Sequence, residues 1–332
     1  MLNELEVNFT FTDSEKDAIT EHLLTLNVNP YKFYPTFKYQ VRQVIASLPQ
    51  FERFLDFMEY QHSVSSYDFP FVFIENCPMD PELPELGNDN PVQVKYEKKK
   101  TFVAESFLQL YAELAAQHPI SYINVNDGDV FQDILTKESL RYTQSQKSGG
   151  TIYFHKDFPN HFVRPDFVNI LSLRSYDKNE IYNTFVSNKD ILTHLSKEAM
   201  DTLRLCEFYT PYDDITVSTS TIDLGRAPNH TILVGRHHMR LFENRTVGLT
   251  PKAQSAVDEL LTVAHAYKKT RRMRSGDFVA ISNNLSLHGR DMHQITNIAE
   301  SNRRWSLKTV NVQCCAPHLK HFVAGTDYLV NG

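Results

Sequence analysis

Along the first part of the chain apolar residues recur at helical spacing, and farther on they recur at the shorter beat of strands. Over residues 14–27 Ile19, Leu23 and Leu24 share one face, with Ser14 placed to cap a helix. Residues 38–60 repeat the pattern with Val41, Val44, Ile45, Phe51, Phe54 and Leu55, which predicts a second helix with a core-facing stripe. A strand over 70–75, a polar proline-rich loop over 78–91 and a helix over 101–117 follow. From about residue 120 the pattern predicts short strands over 120–125, 151–155, 167–173, 231–234, 277–282 and 305–312. Helical inserts over 188–204 and 251–268 interrupt them, and Ser275-Gly276-Asp277 is a turn signal before a strand. Helices first and then many short strands, without repeat or linker, predict one α+β domain, mainly β, over 1–332. Residues 1–118 form its mainly helical part and 119–315 its strand-rich core, a sandwich or open barrel.

Composition narrows the class. Hydrophobic residues make up 41% and charged residues 22%, as in ordinary globular proteins. The 22 Phe and 16 Tyr against 11 Gly suit strands packed on strands. A net charge of −6 argues against non-specific nucleic-acid binding, which needs a cationic surface. The basic run Lys268–Arg274 reads as a solvated loop before a strand. No apolar stretch approaches the roughly 18 residues of a membrane span, and the acidic N-terminus lacks a signal pattern. The four cysteines, Cys77, Cys206, Cys314 and Cys315, have no C-x-x-C spacing, so a reducing cytoplasm is the simplest location.

Three constellations carry chemistry. His155 and Asp157 stand two apart at a strand end, where alternate residues share a face and converge on one ion. His288 follows the strand that begins at Asp277. Two imidazoles and a carboxylate suit iron(II) with open positions, whereas closed structural zinc wants a fourth protein ligand. Arg303-Arg304-Trp305 and Lys308 form the third: on a strand 304, 306 and 308 share a face, and Arg pairs with carboxylates in a fixed fork.

In this order and context the chain resembles the clavaminate synthase-like branch of the iron(II)/2-oxoglutarate oxygenases, related to taurine dioxygenase. Members of that branch hydroxylate free asparagine, arginine and lysine. The resemblance runs over about 105–312. Val130-Phe131-Gln132-Asp133 and Thr143-Gln144-Ser145 resemble its substrate-binding segments, and His155-Lys156-Asp157 stands for its H-x-E/D motif. Arg164-Pro165-Asp166 opens a strand like its R-P-D strand, and Gly276-Asp277 through His288-Gly289-Arg290 matches its G-D strand ending in H-G-R. Arg304-Trp305 resembles the R-W that follows.

The resemblance implies a double-stranded β-helix (jelly-roll) core with flanking helices and a lid insertion over about 206–250. His155, Asp157 and His288 would hold Fe(II); Arg304 and Thr184 would hold 2-oxoglutarate, and O2 would be the oxidant. Gln132 and Ser145 would touch the α-amino and α-carboxylate groups of a small amino-acid-like substrate. Three departures stand out. Asp157 replaces the more common Glu, the interval from His288 leaves Arg303 as an alternative to Arg304, and Lys308 stands where an Arg commonly binds carboxylate. Asp213 and Asp214, in the insertion, would suit a cationic side chain of lysine or arginine type, with an Asp-rich turn as the alternative. Arg236, His237, His238 and Arg240 are further polar candidates there. Hydroxylation is expected rather than halogenation, because a halide would need the position that Asp157 fills. A non-catalytic jelly-roll that binds a metal or a small acid would leave Arg304 and Thr184 without a reason to accompany the metal trio, and a zinc hydrolase would want a general base for which the sequence has no dedicated candidate.

Overall fold

The structure, a computed structural model, describes residues 3–45, 52–213, 216–217 and 225–331. Helix α1 (Asp13–Leu23) begins one residue before Ser14. Its cap is Thr12, whose hydroxyl accepts the Glu15 N–H while the Glu15 carboxylate accepts the Thr12 N–H. This is the reciprocal capping box. The helix expected over 38–60 is two, α2 (Tyr34–Ile45) and α3 (Glu52–Ser63); the stretch between them, with Phe51, lies outside the described residues. Helix α4 (Pro91–Lys98) starts where the proline-rich loop was expected to end, with Pro91 in the first turn, where its missing N–H costs nothing. Helix α5 (Val103–Leu114) is capped by the buried Asp80 carboxylate, which accepts the N–H groups of Val103 and Ala104 at 3.1 and 3.2 Å. Two short helices, α6 (Asn188–His194) and α7 (Lys197–Leu203), then α8 (Pro251–Ala266) and α9 (Ile298–Asn302), complete the helical set.

In chain order the strands are β1 (Phe9–Thr10), β2 (Phe71–Glu75), β3 (His118–Tyr122), β4 (Gln132–Leu135), β5 (Ile152–His155) and β6 (Phe167–Arg174). They continue with β7 (Glu180–Ser187), β8 (Phe208–Tyr209), β9 (Leu233–Val234), β10 (His238–Met239), β11 (Val247–Gly248) and β12 (Lys269–Arg271). The last are β13 (Phe278–Ser282), β14 (Ser286–Gln294), β15 (Trp305–Val312) and β16 (Leu329–Val330). The large sheet runs β1-β2-β13-β6-β15-β3-β16, with β4 also paired to β15; a second sheet runs β12-β7-β14-β5. Both are antiparallel except for β1 on β2 and β16 on β3.

Three apolar clusters fix how these layers stack. Phe37, Phe54 and Phe107 from the helices meet Leu171, Phe278 and Trp305 on the outer face of the large sheet. Between the sheets, Phe71, Val168, Ile170 and Val279 meet Phe185 of β7, and the Phe71 and Phe185 rings lie 5.3 Å apart. Val186, next along β7, points the other way, into a cluster with Val257 and Leu260 of α8. The basic run is not a solvated loop. Its centre is β12, paired to β7, with Lys268 on Asp291 at 2.6 Å and Arg271 on Glu75. Among the described residues no helix is long and apolar enough to cross a membrane.

Candidate active site

Strand pairing brings together residues far apart in sequence. In the β5–β14 ladder His155 is the register partner of His288, so both imidazoles stand on one face, ring centres 4.5 Å apart. Asp157, just past the end of β5, turns its Oδ1 to both rings: 3.3 Å from His155 Nε2 and 3.8 Å from His288 Nε2. A ligand atom of each lies within 4.8 Å of the others, the one such cluster among the described residues. His155 Nδ1 is 2.8 Å from the Tyr153 carbonyl. A carbonyl only accepts, so Nδ1 carries the proton and Nε2 keeps a free lone pair toward the cluster. The donor set and the lack of a fourth ligand fit a divalent metal of the iron(II) kind, held on one face with the other open.

The loop after β5 is pinned from the turn between β13 and β14. Asn283 Oδ1 accepts the Asp157 N–H at 2.9 Å, and its Nδ2 donates to the carbonyls of Asp157 and Pro165. None of these three contacts is visible in sequence. Lys308 Nζ donates to Asp157 Oδ2 at 2.9 Å, so one carboxylate oxygen faces the imidazoles and the other faces the ammonium. Burial works to raise the Asp157 pKa, but Lys308, with help from the two histidines, holds it well below the usual range. Burial, then the neighbouring His155, drops His288 to about 3, so its ring is neutral at pH 7 and able to bind metal.

A second pole of the same cavity is cationic. Arg304, just before β15, lines it together with Ser306 and Lys308, which alternate along that strand. Arg304 is half-buried along its length, yet among the described residues its sealed Nη2 has no hydrogen-bond partner and Nη1 meets only the Met292 sulfur at 3.8 Å. Burial lowers its pKa to about 10. Arg303 points outward, with Nε on Glu85 Oε2 at 3.0 Å and Nη1 on Glu300 at 2.8 Å, so it does not compete for the cavity. Arg290 is also buried in the lining. A guanidinium without an acidic partner, on the wall of a cavity that also holds the metal trio, fits a carboxylate ligand.

The other expected residues fall into three groups. Ser145 and Asp213 line the cavity. Asp213 also caps the adjacent turn, accepting the Thr216 N–H at 2.9 Å and its hydroxyl at 2.6 Å. Gln132 is fully buried beside Lys308 in register but does not reach the lining, and neither of its amide atoms has a hydrogen-bond partner. Thr184 does not reach it either. Ile181 and Asn183 hold the cavity side of β7, and Thr184, between Asn183 and Phe185, turns to the opposite face beside Gly289. Asp214 lies outside the described residues. Arg236, His237, His238 and Arg240 are off the cavity; His237 stacks on Tyr67, and Arg240 donates to Asn160, which does line it. Arg290, Asn183, Arg245 and Arg272 are lining residues that the motifs alone left without a role.

No family model matches the chain. Among curated proteins it is similar to L-asparagine oxygenase of Streptomyces coelicolor, 25% identical over 194 residues. That match spans 58% of this chain and 56% of the length of the relative. Among solved structures, asparagine oxygenase in complex with Fe(II), 2S,3S-3-hydroxyasparagine and succinate superposes with a TM-score of 0.80 at 20% identity, covering 98% of this chain and 99% of that one. The non-heme iron oxygenase OrfP in complex with Fe, succinate and (3S)-hydroxy-L-Arg gives a TM-score of 0.80 at 20% identity, covering 97% and 99%. The same protein with Fe and alpha-ketoglutaric acid gives 0.75 at 20% identity over 98% and 99%. The chain has the fold of these proteins from end to end.

Proposed function

We propose that this chain is an iron(II)/2-oxoglutarate-dependent oxygenase that hydroxylates an unactivated C–H of a free L-amino acid or a close derivative. The observation that carries it is the pairing, in one cavity, of an open-faced His155–Asp157–His288 trio with a sealed arginine, Arg304, that has no acidic partner among the described residues. A metal-binding scaffold would explain the first and not the second. The two facing antiparallel sheets are the halves of a double-stranded β-helix, with helices on the outer faces. Residues 1–332 would act as one domain with 206–250 as its lid, of which 214–215 and 218–224 lie outside the described residues. The similar proteins, whose complexes hold iron, succinate or alpha-ketoglutaric acid and hydroxylated amino acids, support this reading.

Bound iron would supply the redox chemistry, with 2-oxoglutarate and O2 consumed and succinate and CO2 released. The work of the chain is positioning and exclusion of water. His155 and His288 present their Nε2 atoms, and Asp157 presents one oxygen while Lys308 holds the other. Arg304 would take the distal carboxylate of 2-oxoglutarate, and Asn183, which lines the cavity from β7, would assist in the role first expected of Thr184. Ile134, Ile170 and Ile181 line the cavity with apolar surface that keeps water from the reacting carbon. At the other end Ser145, Asp213 and Lys308 would meet the amino acid. A cationic side chain remains the reading that Asp213 favours.

The test is succinate formation from 2-oxoglutarate with Fe(II), ascorbate and O2 across a panel of L-amino acids, with mass spectrometry for an added oxygen. Succinate should rise with one amino acid together with its oxygenated product, and Asp157→Ala should abolish both. Folded, iron-loaded protein that makes no succinate under any condition would sink the proposal.

A further inference from the structure

From Arg141 to Thr151 the chain has no helix or strand, and this stretch runs through Ser148-Gly149-Gly150 into β5. A glycine pair gives the backbone many conformations, so a wall built there has to be held from outside. This stretch is such a wall, since Gln144, Ser145 and Gln146 line the cavity. Its first half is held by Gln144, which accepts the Tyr153 N–H at 3.2 Å and donates to the Thr151 carbonyl at 3.0 Å. Lys147 adds a bond to Asn126 at 2.7 Å.

The glycine end is held by Arg290. Its Nη2 donates to the Ser148 carbonyl at 2.9 Å, the Ser148 hydroxyl at 3.0 Å and the Gly150 carbonyl at 2.7 Å, and Nε donates to Gly150 at 3.2 Å. Bonds from a charged donor are among the stronger ones. All these acceptors are neutral. Arg290 and Arg304 line the same cavity, and two guanidinium groups of like charge in one cavity repel each other. A carboxylate held by Arg304 would offset that repulsion and tighten the hold of Arg290 on the loop.

We propose that Arg290 is a positioning residue that clamps residues 144–150 as the wall of the amino-acid end and couples that wall to the carboxylate held by Arg304. The identity of the two ligands rests on the proposed oxygenase function; the clamp does not. Coupling of this kind is reciprocal, so 2-oxoglutarate and amino acid should each tighten the binding of the other.

Hydrogen–deuterium exchange of the peptide spanning 141–151 tests this in metal-free protein and in Co(II)-loaded protein with and without 2-oxoglutarate. In the unmodified chain 2-oxoglutarate should slow exchange of that peptide. Arg290→Gln should speed it at least tenfold and remove its response to 2-oxoglutarate. In turnover, Arg290→Gln should raise KM for the amino acid at least tenfold and KM for 2-oxoglutarate less than threefold, with Arg290→Lys recovering part of the loss. Ser148→Ala, a milder change, should speed exchange of the same peptide by a smaller factor. Unchanged exchange in both variants would overturn the clamp. A raised KM for 2-oxoglutarate alone would also overturn it and make Arg290 a direct carboxylate ligand. No slowing by 2-oxoglutarate in the unmodified chain would overturn the coupling. Absence of succinate under any condition would sink the oxygenase reading, while the exchange of metal-free protein would still decide the clamp.

Discussion

Arg304 Nη2 is sealed from solvent and has no acceptor among the described residues, and a buried donor left unpaired costs about 1–3 kcal/mol. A ligand carboxylate would offset that cost, so the side chain trades stability for binding. Arg304→Met should therefore raise the urea midpoint of the metal-free protein, by on the order of 1–3 kcal/mol in unfolding free energy. The same change should cut 2-oxoglutarate turnover at least a hundredfold. A loss of stability instead would show that the guanidinium is well packed where it stands. Sequence narrowed this position to Arg303 or Arg304, and the choice was made by partners: Glu85 and Glu300 hold Arg303 outside. At Thr184 the motif pointed one residue away from Asn183, which faces the cavity, and in a strand one residue is the difference between two faces.

Among the elements, β5 and β14 carry the metal trio, and Gly289 lets them approach. A Cβ there would sit 2.6 Å from the Ile152 carbonyl and 2.9 Å from Thr184 Oγ1, and backbone cannot yield as a side chain tip can. Gly289→Ala should cost about 1–3 kcal/mol through overpacking. It should also part His155 from His288, weakening Co(II) binding at least tenfold in a spectrophotometric titration. Co(II) binding unchanged in a folded variant would refute that role for the glycine. The strands legible in sequence were β2, β3, β5, β6, β9, β13 and β15, of which β6 and β13 are buried runs rich in apolar residues. Strands β7 and β14 were not, because the cavity asks for Asn183, His288 and Arg290 where a core would ask for apolar residues. Helix α4 was hidden for a related reason: its face carries Lys95, fully buried against Asp129 and Asp133, in a place where pattern expects an apolar residue.

That ion cluster joins the helical part to the sheet. Asp133 accepts from Lys95 at 2.7 Å, Asn126 at 3.0 Å and Trp305 Nε1 at 3.0 Å, the indole next to Arg304. Burial pushes the neighbouring Asp129 carboxyl up to about 6, against the pull of Lys95 and Tyr96. Its folded pKa lies above its unfolded one, so the folded state holds the proton more tightly between the two. The contribution of this group to stability is full below the unfolded value of 3.8 and is lost as pH rises to about 6. The slope from one such proton is at most about 1.4 kcal/mol per pH unit. Asp129→Asn should flatten that part of the profile, read as urea midpoints from pH 4 to 7. An unaltered slope would place the titration elsewhere.

By itself the sequence determined the order of helices before strands, the H-x-D and H-G-R motifs, and the shared face of Arg304, Ser306 and Lys308. These are local properties, set by spacing along one helix or strand. Tertiary structure alone decided the rest. Ladder register put His155 opposite His288, and Lys308 reached across from β15 to Asp157. Strand facing admitted Asn183 and turned Thr184 away, and β12 carried Arg272 from an apparently solvated run to the cavity wall. Each depends on contacts between segments distant in sequence, which no periodicity within a segment records.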